Sequence, residues 1–154
     1  MLTHCDFVFA AESAKFRMPF VDLAVVPEFG TSYSVPVRIG YLRATELVLL
    51  GLPFDAKRAT ELGLVTRVVP DQELLSTATQ TARELAAKLP AALQSCKRLM
   101  RSSTRELLER AVKLENQEFS TRVRSAEAKE AFTAFLEKRK PNFDAISEPK
   151  ARAA

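Results

Sequence analysis

Glu28 stands in Val25-Val26-Pro27-Glu28-Phe29-Gly30, a lone carboxylate at the end of an apolar run where the chain is about to turn. A carboxyl group among apolar neighbours is poorly solvated, which disfavours its charged form and draws its pKa up toward working pH. That is the condition for general acid or base work rather than for a solubilising charge. Pro-Glu-Phe-Gly also fits an ordinary surface turn with its glutamate in water, and from these residues alone the turn is the better reading. The other reactive side chains offer less. His4, the single histidine, has only Cys5 and Asp6 beside it as further ligands, so it reads as structural and no metal site is expected. Cys5 and Cys96 have no close spacing and fit neither a disulfide scaffold nor a zinc site; Cys5 reads as a small core residue.

The elements that must position Glu28 follow from pattern. Cys5–Ala11 is a compact apolar run of strand length, and Lys15–Pro19 is a shorter extended piece that Pro19 confines to an edge or an end. Asp22–Gly30 is apolar but punctuated by Pro27 and Gly30, which predicts a structured connection. Thr31 or Ser32 can cap a short helix running to Ile39, with Gly40 as its stop and Pro36 as an awkward interior residue. From Leu42 the period is helical, with Ala44, Leu47, Val48 and Leu50 on one face and an end near Gly51. Asp55 caps Ala56–Leu62, Gly63 fits the position after the helix, and Leu64–Val69 is a strand closed by Pro70-Asp71.

The remainder is helical. Asp71 is placed to cap a helix with Leu74, Leu75, Ala78, Ala82, Leu85 and Ala86 facing inward, and Pro90 starts the next one. A long helix follows with Leu108, Ala111, Val112, Glu115 and Phe119 on one stripe. Ser125 caps a last one with Ala128, Ala131, Phe132 and Phe135 inward. These stripes read as core. The helical half exceeds what the strand half can cover, so part of its apolar surface is expected to meet another subunit. The tail from Ala145 onward reads as disordered.

Composition bounds the class. The 154 residues suffice for one ordinary domain, and 47% apolar with 27% charged residues is a soluble globular profile. A net charge of +4 with interleaved signs argues against nucleic acid as the main partner, yet suits an anionic small molecule. No run is long enough to span a membrane, the N-terminus lacks a secretory pattern, and Arg152-Ala153-Ala154 is not a peroxisomal address. The default setting is cytoplasmic.

In order and spacing these segments resemble the C-terminal part of the crotonase superfamily, the enoyl-CoA hydratases and isomerases. The residues that carry the resemblance are Cys5-Asp6-Phe7-Val8-Phe9-Ala10-Ala11, Ala14-Lys15-Phe16, Leu23–Gly30, Glu46–Gly51, Ala59–Val65, Val68-Val69-Pro70 and Phe135–Phe143. The resemblance implies an α/β fold: the C-terminal portion of a ClpP/crotonase-like ββα spiral core over residues 1–70, a helical oligomerisation region over 71–143, and a tail over 144–154. Hydratases of this superfamily use two glutamates, one in a Gln-Pro-Glu segment; its counterpart here is Phe20, in Met18-Pro19-Phe20, which cannot activate water. Some Δ3,Δ2-enoyl-CoA isomerases carry a single glutamate in a Pro-Glu segment before a Gly-containing helix entry, and Glu28 matches it.

The resemblance thus implies an isomerase-like protein with Glu28 as a sole proton shuttle, and Phe20, Leu23 and Phe29 as apolar pocket lining. Enoyl-CoA hydratase and a non-catalytic crotonase-like remnant are the alternatives. No cofactor is implied, since the acyl-CoA thioester is itself the substrate. Phe135 and Lys138 match a Phe and a Lys that approach the CoA nucleotide from a neighbouring subunit, in a homotrimer or dimer of trimers. Without the family, Lys138 would read as a solvated helix-end cation. In the family the oxyanion N–H donors lie upstream of the Cys5-Asp6 strand. Met1 is therefore read as an internal methionine, a mis-assigned start or the start of a truncated gene, and a chain complete at Met1 is expected to have little or no isomerase activity.

Overall fold

The apolar run that starts at Cys5 becomes a strand only at Phe9, after Val8 has engaged Thr66. In the computed structural model, which describes residues 1–144 and 146, the Val8 N–H donates to Thr66 Oγ1 at 3.0 Å and its carbonyl accepts from Thr66 N at 2.7 Å. Strand β1 (Phe9–Ala11) then pairs in parallel with β4 (Arg67–Val69), Ala10 opposite Val68. Both strands are shorter than the sequence predicts because the chain is engaged elsewhere on each side. Cys5 N closes a 3-10 turn on Leu2 O, which leaves Cys5 exposed and corrects its reading as a core residue. Leu64 N and Val65 N both donate to Ala59 O, finishing a helix rather than extending β4. A second, antiparallel pair joins β2 (Lys15–Phe16) to β3 (Phe54–Asp55), with the rings of Phe16 and Phe54 stacked at 5.6 Å.

Three helices fill the space between these ladders. Helix α1 (Thr31–Ile39) and helix α2 (Tyr41–Leu50) meet at Gly40, and α2 ends at Gly51 with φ 60°. Pro36 lies inside α1, where its missing N–H removes the bond to the Ser32 carbonyl. Helix α3 (Ala56–Glu61) is capped as predicted by Asp55, whose Oδ1 accepts from Arg58 N at 2.8 Å. Val8, Ala10, Val35, Ile39, Ala44, Leu47, Ala56, Ala59, Leu62, Leu64 and Val65 form one buried cluster. Full burial of an aliphatic side chain such as Val35 contributes roughly 1.5–3 kcal/mol. Leu50, predicted to face inward, is exposed, because the inward position following Ala44 and Leu47 on the helical period is Gly51 itself.

Four longer helices follow: α4 (Leu74–Ala86), α5 (Pro90–Ser102), α6 (Arg105–Arg122) and α7 (Ala126–Leu136). Asp71 does not cap α4. It lies in a 3-10 turn and accepts instead from Ser13 N at 3.1 Å and from Ser13 Oγ, and these bonds hold its carboxyl below the usual carboxylate range. Ser125 does cap α7, with Oγ accepting from Ala128 N at 3.1 Å. On α7 the buried stripe is Ala128, Ala131 and Ala134, while Phe132 and Phe135, predicted inward, are exposed: the alanines let the helix backbone come close and leave the rings outside. Helices α4 and α5 bury no residue at all, and Leu75, Leu99 and Met100 are wide open.

The helical half is joined to the first half at a few places. Helix α4 meets β1, and α6 lies on α1. Asp6 ties α5 to the N-terminal turn through Lys97 Nζ at 2.5 Å and Arg101 Nη2 at 2.8 Å; the Lys97 hydrogen bond is the main reason its carboxyl is held low. The predicted tail, apart from Asp144 and Ile146, falls outside the described residues. Among the described residues no helix is long and apolar enough to cross a membrane.

Candidate active site

Glu28 lies on the turn that enters α1, and that turn is held from several directions. Residues 19–25 form a tight reversal, with Leu23 N bonded to Pro19 O, Ala24 N to Val21 O and Val25 N to Phe20 O. Arg17 braces it, donating through Nη2 to Asp22 Oδ2 and through Nε to Gly51 O, both at 2.7 Å. Arg122 Nε donates to Ala24 O at 3.3 Å, and Val25 is buried. Val26, Pro27 and Glu28 follow, each half-buried, and the Glu28 carbonyl accepts from Thr31 N at 3.0 Å. The Glu28 carboxylate itself makes no hydrogen bond or ion pair among the described residues. The carboxylate is thus without an internal partner, on a half-buried residue.

Phe29 is the next residue and takes φ 57°. Its carbonyl accepts from His4 Nε2 at 2.6 Å, which requires that nitrogen to carry the proton. His4 thereby has a structural task, as its sequence context predicts. Phe29 is 58% exposed, so it borders the Glu28 surface as an open rim rather than as a closed wall. Phe20 and Leu23 are half-buried on the preceding reversal. These residues and Glu28 therefore belong to one continuous segment, Phe20 to Phe29.

Helix α1 does not use the side-chain cap predicted for it. Neither Thr31 nor Ser32 caps it; Gly30, at φ 69°, is the N-cap residue and has no side chain to offer. Glu115 of α6 supplies the cap from a remote part of the chain. Its Oε2 accepts from Gly30 N at 2.5 Å and its Oε1 from Ser32 N at 2.7 Å, and the residue is only 5% exposed. Two otherwise unpartnered helix N–H groups and a buried carboxylate so satisfy one another. Sequence reasoning placed Glu115 on an apolar stripe and read it as core. The signal available was its charge: an acidic residue on a buried stripe needs donors, and a helix N-terminus provides them.

Phe135 and Lys138 are elsewhere, at the end of α7. Phe135 is 68% exposed, Lys138 is exposed with φ 55°, and no hydrogen bond or ion pair joins either to the Glu28 turn. Local contacts shape this end: Lys138 N donates to Phe135 O, Arg139 N to Ala134 O, and the Arg139 guanidinium pairs with Glu130 and Glu137. Arg139, with Asn142 N, holds the Glu130 carboxyl down at about 2. A hollow of about 790 Å³ lies along α4, lined by Arg67, Leu75, Gln80 and Arg83, and includes none of the predicted site residues. Among the described residues no three His, Cys, Asp or Glu side chains are grouped to hold a metal ion.

Comparison with known proteins makes the class definite. The enoyl-CoA hydratase/isomerase family model matches residues 1–146. The chain belongs to the enoyl-CoA hydratase/isomerase family of the crotonase superfamily, and its α/β architecture is the C-terminal portion of that fold. It is 37% identical over 140 residues to a probable enoyl-CoA hydratase of Bacillus subtilis, covering 90% of this chain and 54% of that protein. It is 38% identical to the 1,2-epoxyphenylacetyl-CoA isomerase of Escherichia coli, covering 90% of this chain and 53% of that one. Among solved structures, an enoyl-CoA hydratase/isomerase from Pseudoalteromonas atlantica superposes with a TM-score of 0.88 at 39% identity, over 92% of this chain and 57% of that chain. The chain spans about half the length of the curated relatives it matches.

Proposed function

We propose that this chain is the Glu28-bearing part of an acyl-CoA isomerase that moves a double bond from C3 to C2 of an enoyl thioester. The observation that carries the reading is the Glu28 carboxylate, free of internal partners, on a half-buried residue of a turn whose neighbours are Val26, Pro27 and Phe29. In the proposed reaction Glu28 takes a proton from C2, and the electron pair of that C–H bond passes into the thioester as a dienolate. The same carboxyl returns the proton at C4, which leaves the double bond between C2 and C3. No water is consumed, so one carboxylate suffices. The developing oxyanion needs N–H donors, which the family draws from a segment preceding the stretch that matches Cys5-Asp6. Phe20, Leu23 and Phe29 line the acyl side, and Phe20 stands where a hydratase has its water-activating glutamate.

Phe135 and Lys138 are proposed to meet the CoA nucleotide of a neighbouring copy, in a trimer or dimer of trimers. Their exposure, and the open apolar faces of α4 and α5, support an assembled form. A second reading, hydration, is favoured by one observation: several relatives of similar identity carry hydratase names, among them 2,3-dehydroadipyl-CoA hydratase of E. coli at 34%. The test is Glu28→Gln in the intact protein, assayed for conversion of 3-enoyl-CoA to 2-enoyl-CoA. Loss of a general base lowers turnover by about 10²–10⁴-fold with the fold unchanged by circular dichroism. Undiminished turnover in that variant would remove Glu28 from the chemistry.

A further inference from the structure

The segment that carries Glu28 contains two residues other than glycine in the left-handed region, Ala24 at φ 54° and Phe29 at φ 57°. Such backbone is strained for a residue with a side chain and persists only where the surroundings over-determine it. Both residues have their carbonyls taken by side chains from outside the segment, Ala24 O by Arg122 and Phe29 O by His4. Immediately beyond Phe29, both oxygens of Glu115 are committed to Gly30 N and Ser32 N. Glu115 and Arg122 lie seven residues apart on α6, hence on one face of that helix. Leu108 of the same helix lies so close to Gly30 that a Cβ there would be 2.3 Å from its Cδ1. The strained turn is therefore pressed and hydrogen-bonded along a single face of α6, remote in sequence and belonging to the helical half.

We infer that Glu115 is a positioning residue for Glu28. Its carboxylate fixes the first turn of α1, two residues beyond Glu28, and so sets the direction in which the Glu28 side chain leaves the turn. Without it, the Gly30 and Ser32 N–H groups lose their acceptor, the helix start frays, and Phe29 relaxes from its strained φ. The inference rests on the reading of Glu28 as the base, and it extends that reading by making α6 part of the catalytic apparatus rather than only an assembly element.

Glu115→Gln is the sharpest variant, since it keeps the shape but turns an amide NH₂ toward a backbone donor; Glu115→Asp keeps the charge but withdraws it by one methylene. In the intact protein both are expected to lower kcat for 3-enoyl-CoA isomerisation by about ten- to a hundredfold, as a shift of order 1 Å in a catalytic group does, with KM within about twofold. In a Glu28→Gln background Glu115→Gln is expected to cost nothing further. Wild-type kcat in Glu115→Gln, or a loss that only tracks the unfolded fraction, overturns the inference, and wild-type kcat in Glu115→Asp alone overturns it in favour of a charge effect. Amide hydrogen exchange at Gly30 and Ser32 is read in the same variants and needs no turnover. Exchange at least about tenfold faster in Glu115→Gln upholds the clamp, and unchanged exchange overturns it. An unaltered protein inert toward 3-enoyl-CoA would overturn the base assignment of Glu28 and the catalytic part of the inference, while the exchange result still decides the clamp.

Discussion

The turn around Glu28, with Ala24 and Phe29, and the end of α7, with Lys138, both hold non-glycine backbone in left-handed conformation, and they are held in opposite ways. At the Glu28 turn the constraints come from far away: His4, Glu115 and Arg122 reach it from the N-terminal turn and from α6. At the α7 end they are local, made by Arg139 with Glu130 and Glu137 and by the helix's own last N–H groups. A group that must return a proton to a defined carbon needs its direction fixed by the fold. A cation that meets a phosphate as a point charge does not, and it can stay on an open helix end. The contrast fits a base built into the chain and a nucleotide contact that depends on a neighbour.

The largest expected effect on this comparison comes from Gly30→Ala. The left-handed φ of 69° and the contact with Leu108 both act against a Cβ there, whereas Gly63, at φ 75°, has open space around it. Gly30→Ala is expected to cost about 3 kcal/mol and Gly63→Ala about 1 kcal/mol in urea denaturation, since only the former adds crowding to strain. Equal costs would mean that α6 does not press on the turn. Ser125→Ala, which removes the α7 cap, is expected to cost about 1 kcal/mol by the same measurement. It should leave isomerisation nearly unchanged, because the Ser125 hydroxyl bonds Ala128 N, while the link from this end to the Glu28 turn runs through Arg122, held by Glu127 and donating to Ala24 O.

Lys138→Gly should separate stability from binding. Relief of the left-handed strain is expected to stabilise the chain by about 0.5–1 kcal/mol, while loss of the cation weakens acyl-CoA binding several-fold in calorimetry without changing turnover at saturation. Unchanged affinity would make Lys138 a surface charge only. The smallest effect is expected in acid. The Glu130 carboxyl is held down to about 2 by Arg139 and Asn142, below its usual value near 4.5. The stabilisation it gives is present above the usual value and is lost as pH falls through about 2. The protection factor of the Asn142 N–H, taken against its intrinsic exchange at each pH, should accordingly fall across that acid window and should not change with pH in Glu130→Gln.

Much of the fold was legible because it obeys local rules. Asp55 and Ser125 cap by side chains three residues from their donors, and Gly51 and Gly63 end helices by their own conformation. The elements that departed from expectation did so through remote partners. Asp71 looked like a cap and was drawn instead to Ser13; α1 looked self-capped and was capped by Glu115; the strands shortened where turns claimed their ends. Of the site, Glu28, Phe20, Leu23 and Phe29 fall on one segment and could be found together by sequence proximity. Glu115, Arg122 and His4 could not, because nothing local says which backbone group a distant side chain will reach.

In the proposed reaction Glu28 shuttles a proton without activating water. Its most direct test offers the intact protein 3-enoyl-CoA and, separately, 2-enoyl-CoA, and follows products by mass and proton resonance. The expected outcome is a 2-enoyl thioester of unchanged mass from the first and no hydration of the second. A 3-hydroxyacyl product, heavier by one water and still formed after Glu28→Gln, would contradict it.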